Sequence, residues 1–254
     1  MYSREQKKIV SLVPSWTFTF LAAGAHVVGR TRYCIHPLDL VDSIPIWGGT
    51  KDIRVPNIQD VDYVILDREE NTKSMAESVQ AKLLSTHVTS LASCAFELRS
   101  LAETLKLPRL ADYAQRYETV IDHLDAQQIK ERDEFPGATK WFFPPTQKIK
   151  KVIYVIWKDP WMCLSEKTFA GDILTRLGYE LWTPASSRLP DNHQSAYPIF
   201  HWEEVPSDVV VLYSTEPYPF DRYSPEPDRP SALVDGEAYT WFGLKSLRFL
   251  EDLF

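Results

Sequence analysis

One order of structural elements occurs twice in this chain of 254 residues, and this repetition restricts the fold more than any other feature. In the first half, residues 7–13 predict a short buried strand, and a turn leads into an apolar helix that ends at Gly24. In the second half, residues 150–156 begin with the same basic pair, and the following helix ends at Gly178. Strands separated by helices pair in parallel through right-handed crossovers. The sequence therefore predicts an α/β fold of two similar lobes with mainly parallel sheets.

Apolar spacing predicts further elements in each half. In the first half we predict a strand over residues 61–66, a helix over residues 72–84 and a short strand over residues 87–89. In the second half, residues 208–213 predict a strand that matches 61–66 of the first. Residues 135–148 contain several prolines and are interpreted as a connector.

A long amphipathic helix is predicted over residues 108–131, between the two halves. Pro108 suits the first helical position, because its missing N–H would have no helical partner there. We therefore predict an N-terminal α/β lobe over residues 1–106, a connecting backbone helix over 107–133 and a C-terminal α/β lobe over 134–254. The apolar stripe consists of Leu110, Ala114, Tyr117, Ile121 and Leu124.

The charge of the chain argues against nucleic acid or an anionic membrane as its main partner. The formal net charge is −7, whereas both partners require a basic surface. No apolar stretch is long enough to span a bilayer. The three cysteines, Cys34, Cys94 and Cys163, lie far apart, which favours buried single thiols over disulfides or a zinc site. The N-terminus enters the first strand without the features of a secretory leader, so the sequence as written predicts a cytoplasmic protein.

Aromatic residues are concentrated where the predicted strands end. Ligands in parallel α/β sheets bind beyond the carboxyl ends of the strands. The aromatic side chains in these segments would form two flat walls, which suit a large, planar, partly apolar ligand. For any one of them, packing beneath a loop is the alternative interpretation. The residues concerned are Trp47, Trp157, Trp161, Tyr197, Tyr218 and Trp241.

Catalytic patterns are weak in this sequence. It contains no nucleophile elbow, no dinucleotide-binding glycine motif and no phosphate-binding loop. His36, with Cys34 or with Glu69 and Glu70, is a candidate metal ligand, although a histidine before a proline more often bonds a local backbone group. A metal-dependent enzyme centred on His36 is therefore one hypothesis, and a non-catalytic binding protein is the favoured one.

Six segments resemble the cobalamin- and siderophore-type substrate-binding proteins of ABC importers, also known as the helical-backbone metal receptors. The resemblance extends over nearly the whole chain and is specific to the family rather than to one ligand. The segments are KIVSLVPS at 8–15, VGRTRYCIHP at 28–37, GGTKD at 48–52, IWKDPW at 156–161, STEPYPF at 214–220 and DGEAYTWFG at 235–243.

This resemblance implies a non-catalytic monomer. Its two lobes would be joined by a rigid helix, and a cobalamin or related corrinoid, a haem or a ferric siderophore would bind in the cleft between them. No cofactor is required, since the corrinoid or iron chelate is the ligand. By family the protein would be periplasmic, if a leader had been removed. A cytosolic protein of the same fold that stores or senses a corrinoid or metal chelate is the alternative.

The resemblance also assigns roles to individual residues. By similarity to vitamin B12-binding members, Tyr33, Trp47, Trp157 and Tyr197 fall where aromatic side chains contact the corrin. Asp235 lies near a polar contact. At one position the pattern is broken, because Asp67 stands where that branch has an aromatic residue.

Family members that serve a permease present one acidic residue on each lobe to the membrane subunits. Glu203 matches the position in the second lobe. Pro56 stands at the position in the first lobe, and its lack of charge weighs against docking to a permease.

Overall fold

The computed structural model describes residues 6–52, 61–78, 81–126, 134–185, 196–222 and 229–254. The chain divides into two compact units. Unit 1 comprises Met1–Val88, Ala92–Glu118 and Trp241–Arg248, and unit 2 comprises Thr89–Leu91, Thr119–Thr240 and Phe249–Phe254. Each unit is thus assembled from separate stretches of the chain.

The sheet of unit 1 has four parallel strands in the order β2-β1-β3-β4. The two central strands are almost entirely buried, as expected for a parallel sheet covered on both faces. Helix α1 connects β1 to β2, and α3 lies between β3 and β4. The elements are β1 (Lys8–Ser11), α1 (Pro14–Ala23), β2 (His26–Arg30), α2 (Leu38–Val41), β3 (Tyr63–Asp67), α3 (Lys73–Ser78) and β4 (Lys82–Thr86).

The sheet of unit 2 repeats this order and adds antiparallel strands to it. Its parallel strands follow the order β8-β6-β9-β10, which matches β2-β1-β3-β4 position by position. Strands β5 and β7 pair antiparallel with β10 and β6. The strands are β5 (Ala138–Phe143), β6 (Lys151–Trp157), β7 (Met162–Cys163), β8 (Glu180–Leu181), β9 (Val210–Ser214) and β10 (Ser231–Val234). The prediction of two similar α/β units with mainly parallel sheets is therefore confirmed.

Five further α-helices occur in the described residues after β4. Helices α4 and α5 follow one another in sequence, and an ion pair between Arg99 and Glu118 links them. Two short 3-10 turns occur at Trp202–Glu204 and Phe220–Arg222. The helices are α4 (Leu91–Leu105), α5 (Pro108–Ala126), α6 (Phe169–Arg176), α7 (Gly236–Thr240) and α8 (Leu244–Glu251). In the described residues, no helix is both long enough and apolar enough to cross a membrane.

Both predicted glycine caps are confirmed. Gly24 has a φ of 83° and its N–H donates to the carbonyl of Leu21, which closes α1. Gly178 has a φ of 91° and its N–H donates to the carbonyl of Thr175 after α6. Because a positive φ is easiest for glycine, these residues end the helices at defined points.

The long helix begins at Pro108 as predicted and is described to Ala126. The predicted continuation to residue 131 lies outside the described residues. Leu110, Ala114, Tyr117 and Leu124 are buried, whereas Ile121 is half-buried and Val120 is buried in its place. The residues of α5 up to Glu118 belong to unit 1, and those from Thr119 belong to unit 2, so one helix is shared by both.

Three local predictions are wrong. Residues 72–84 do not form one helix, since α3 ends at Ser78 and β4 begins at Lys82. The predicted strand at 87–89 is this β4, placed too late in the sequence, because pairing with β3 selects Lys82–Thr86. The connector predicted over 135–148 contains β5, which is stabilised by its pairing with β10.

Candidate ligand-binding site

The strand-end segments of unit 1 are held by a buried carboxylate. Asp67 ends β3, is 1% exposed and accepts three hydrogen bonds. The donors are the hydroxyl of Thr86 at 2.6 Å, the N–H of Glu69 at 2.9 Å and the N–H of Val88 at 3.2 Å. Burial raises the pKa of the Asp67 carboxyl, and these hydrogen bonds partly oppose that rise. Asp67 therefore joins the ends of β3 and β4 rather than facing solvent.

Asn71 connects this carboxylate segment to the loop that carries Trp47. Its side-chain oxygen accepts from the N–H of Asp67 at 2.9 Å. Its amide donates to the carbonyls of Leu12 at 3.1 Å and of Thr50 at 2.9 Å. One buried side chain thus fixes the end of β1, the end of β3 and the segment around Thr50.

Trp47 lies against the sheet of unit 1. Its indole covers Gly29 of β2, and it packs beside the buried side chains of Val10, Leu12 and Val64. The ring is half-buried, so it presents only part of its surface to a ligand. The indole can lie this close to β2 because Gly29 has no side chain.

Tyr33 is the most exposed of the predicted ligand-binding aromatic residues. Its side chain is 53% exposed on the loop after β2, and the guanidinium of Arg32 lies 5.5 Å from its ring centroid. His36, on the same loop, meets Trp241 edge-on with ring centroids 5.8 Å apart. Unit 1 therefore brings three predicted residues, Tyr33, His36 and Trp241, to one region of its structure.

The metal site proposed around His36 is not formed in the described residues. They contain no group of three or more His, Cys, Asp or Glu side chains with the spacing of a metal site. The Cys34 thiol lies between the hydroxyls of Thr17 at 3.1 Å and Thr31 at 3.2 Å, and burial raises its pKa. Glu69 is paired with His87 at 3.0 Å. Neither side chain is thus arranged to ligate a metal with His36.

In unit 2 the aromatic side chains form a chain of contacts that begins at Trp157. Trp157 is the last residue of β6, is 40% exposed and meets Tyr218 edge-on at 5.5 Å. Tyr218 lies 4.5 Å from Phe220, whose ring stacks on Trp161 at 6.2 Å. Trp161 and Tyr218 also pack against the core of unit 2. Of these rings, Trp157 is the one that solvent reaches most readily.

Tyr197 and Asp235 occupy segments that the backbone fixes closely. The segment that carries Tyr197 runs beside β7, because the N–H of Cys163 donates to the carbonyl of Pro198 at 3.1 Å. Asp235 follows β10, and its carboxylate accepts from the N–H of Ala238 at 3.2 Å in the first turn of α7. Both side chains are half-buried. A capping carboxylate of this kind retains oxygen lone pairs that can accept from a ligand.

Glu203 lies on the 3-10 turn Trp202–Glu204 and is exposed. The carboxylate of the neighbouring Glu204 accepts from the N–H of His201 at 3.0 Å, and this hydrogen bond closes the turn. Pro56, the residue at the matching position of the first lobe, lies outside the described residues.

Two positioning residues were not indicated by the sequence. They are Asn71, which follows the end of β3 at Asp67, and Arg30, the last residue of β2. Both residue types are normally exposed at such positions, so the sequence contains no signal that distinguishes them.

The structure is similar to solved substrate-binding proteins over nearly its full length. A periplasmic vitamin B12 binding protein of Vibrio cholerae is 14% identical, with a TM-score of 0.67 over 97% of this chain and 94% of that one. S. aureus IsdE in complex with heme is 12% identical, with a TM-score of 0.70 over 98% and 97%. An ABC transporter substrate-binding protein from Listeria monocytogenes EGD-e is 13% identical, with a TM-score of 0.70 over 98% of this chain and 97% of that one.

These likenesses establish the fold, which is the fold expected from the sequence resemblance. No family model matches the sequence, and no curated protein matches it.

Proposed function

We propose that this protein is a non-catalytic binding protein for a large planar ligand, of the class that includes corrinoids, haem and ferric siderophores. The observation that carries the proposal is an exposed aromatic ring at the carboxyl strand ends of each unit, Tyr33 in unit 1 and Trp157 in unit 2. An aromatic ring that stays in water does not contribute the free energy of its burial to folding, and its face remains free to stack on a planar ligand. Two structural neighbours, a vitamin B12 binding protein and a protein in complex with heme, support the same ligand class.

Around these two rings, the other predicted residues supply apolar surface and polar contacts. Trp47 and Trp241 present partly exposed rings in unit 1, and Tyr218 supports Trp157 from the side in unit 2. Asp235 offers a carboxylate for a hydrogen bond. We assign Glu203 to docking rather than to ligand binding, since its carboxylate lies exposed on a 3-10 turn.

Titration of the purified protein with cyanocobalamin and with hemin tests this proposal. The chain contains eight tryptophans, so a bound chromophore should quench the intrinsic fluorescence. Removing one stacked ring, in Tyr33→Ala or Trp157→Ala, should weaken binding by about tenfold, because an aromatic contact is worth about 1 kcal/mol beyond its buried area. The absorption spectrum of the protein as purified distinguishes a retained corrin from a retained haem.

Matched exposed residues provide the controls. Phe96 on α4 is 70% exposed and Phe143 on β5, opposite the first residue of β10, is 37% exposed, so Phe96→Ala and Phe143→Ala remove comparable rings away from the carboxyl ends of the parallel strands. Glu203→Ala should also leave the affinity unchanged. Absence of quenching by either chromophore at micromolar concentration, or an equal loss of affinity in the control variants, would reject the proposal.

A further inference from the structure

Arg30 is a buried cation whose guanidinium, within the described residues, bonds to backbone carbonyls. It is the last residue of β2 and is 8% exposed. Its Nε donates to the carbonyls of Val41 at 2.8 Å and Ile44 at 3.1 Å. Its Nη1 donates to the carbonyls of Thr31 at 3.2 Å and Cys34 at 3.0 Å. Across the described stretches of the chain, no carboxylate forms an ion pair with this guanidinium.

All four acceptors belong to one loop. The N–H of Arg30 donates to the carbonyl of Pro45 at 3.0 Å, and the N–H of Trp47 donates to the carbonyl of Arg30 at 2.7 Å. The chain therefore leaves β2 and returns to it, which makes residues 31–44 an Ω-loop. Apart from the short helix α2 (Leu38–Val41), this loop lacks the regular backbone pairing of a helix or strand. The guanidinium supplies donors to its carbonyls instead, and the carbonyl dipoles replace the water that a buried charge would lose.

The outer face of this loop is unusually apolar. Exposed fractions are 53% for Tyr33, 43% for Ile35, 64% for Leu38 and 43% for Leu40. Apolar side chains gain free energy by leaving water, so a loosely held loop would turn them inward. The inner face is already occupied by Arg30 and by buried Val41, Ile44 and Cys34, which keeps these side chains outside.

We propose that Arg30 is the positioning residue of the ligand-binding surface of unit 1, where it holds the Ω-loop so that Tyr33 stays in binding orientation and His36 stays against Trp241. The statement that this surface binds the ligand rests on the proposed function. The role of Arg30 in holding the loop can be measured without any ligand.

Hydrogen–deuterium exchange of the free protein tests the role directly. In Arg30→Met, amides of residues 31–47 should exchange at least about 100-fold faster, because several charge-assisted hydrogen bonds are lost together. Amides of β1 and β3 should keep their wild-type protection, since the acceptors of the guanidinium all lie in residues 31–44. Arg30→Lys keeps the charge but cannot present the planar fork, so its loop should be intermediate.

Leu98→Ala serves as the matched control, because Leu98 is fully buried in α4 of the same unit and lies outside the loop. It should destabilise unit 1 without selectively releasing residues 31–47. For hemin, or for cyanocobalamin if that is the probe that binds, affinity should fall by about tenfold or more in Arg30→Met and remain near wild type in Leu98→Ala.

Wild-type protein gives a second measurement that does not depend on the variants folding. NMR should show a slowly exchanging Nε–H on Arg30, unlike that of the exposed Arg222. Free exchange of this proton, or unchanged loop protection in folded Arg30→Met, would overturn the inference. If the wild type binds neither chromophore, the proposed function fails, while the exchange data still decide whether Arg30 holds the loop.

Discussion

The contact between Trp47 and Gly29 makes a sharp prediction about how one indole is positioned. A Cβ added at Gly29 would lie 2.8 Å from Cε2 of Trp47 and 2.9 Å from its Nε1. Favourable contacts between carbon atoms occur at about 3.5–4.0 Å. In Gly29→Ala the ring must therefore move off β2, or the strand must shift beneath it.

The expected cost combines two opposing effects. Forcing an extra methyl group into a packed contact costs about 1–3 kcal/mol. Replacing glycine by alanine at a compatible backbone position stabilises by about 0.4–1 kcal/mol, because the unfolded chain loses freedom. We expect Gly29→Ala to lower the free energy of unfolding by about 1–2 kcal/mol. Urea unfolding measures this value, and ¹⁹F NMR of 5-fluorotryptophan-labelled protein reports whether the Trp47 resonance moves.

A double-mutant cycle isolates the collision. In a Trp47→Ala background the space above Gly29 is empty, so Gly29→Ala should be neutral or should stabilise by about 0.5 kcal/mol. An equal cost in both backgrounds would show that the methyl group does not collide with the indole. An unmoved fluorine resonance in Gly29→Ala would refute the same reasoning.

Two further variants test the buried polar network. Asn71→Ala leaves the carbonyls of Leu12 and Thr50 without their donor, so it should lower the free energy of unfolding, measured in urea, by about 2–3 kcal/mol. Asn71→Asp should recover only part of this loss, and a loss below about 0.5 kcal/mol in Asn71→Ala would contradict the reasoning. Because burial raises the pKa of Asp67, the native protein holds a proton that the unfolded chain releases, and wild-type stability should fall as pH rises above the ordinary value of 3.8. Asp67→Asn lacks this titration, so its stability relative to wild type should increase with pH over that range, and a pH-independent difference would refute the assignment.

Much of the fold was predictable because it is encoded locally. Strands β6 and β9 consist mainly of apolar residues, and Gly24 and Gly178 mark helix ends by their conformation. Strand β4 was misplaced because its leucines also fit a helical period. Strand β5 was missed because pairing with β10, rather than its own pattern, makes it a strand. Pairing across the sheet is a long-range property that residue spacing does not contain.

For the candidate site, sequence identified which residue types stand at the strand ends but not how far each is exposed. Tyr33 and Trp157 are open to solvent, whereas Trp161 and Tyr218 also contribute to the core of unit 2. The distinction depends on contacts with residues distant in sequence, such as Phe220 against Trp161. Arg30 gave no distinguishable pattern, since an arginine at the end of a strand is normally exposed.

The composition of unit 1 has a consequence for synthesis of the protein on the ribosome. Contacts join its early elements to residues 242–244. The N–H of Leu244 donates to the hydroxyl of Thr19, 225 residues earlier, and Trp16 packs edge-on against Phe242. Unit 1 therefore cannot complete its core until residues 241–248 have been made, although most of its residues emerge first. Until then its exposed apolar surface is a target for chaperones, and a chain released before residue 241 should remain in that state.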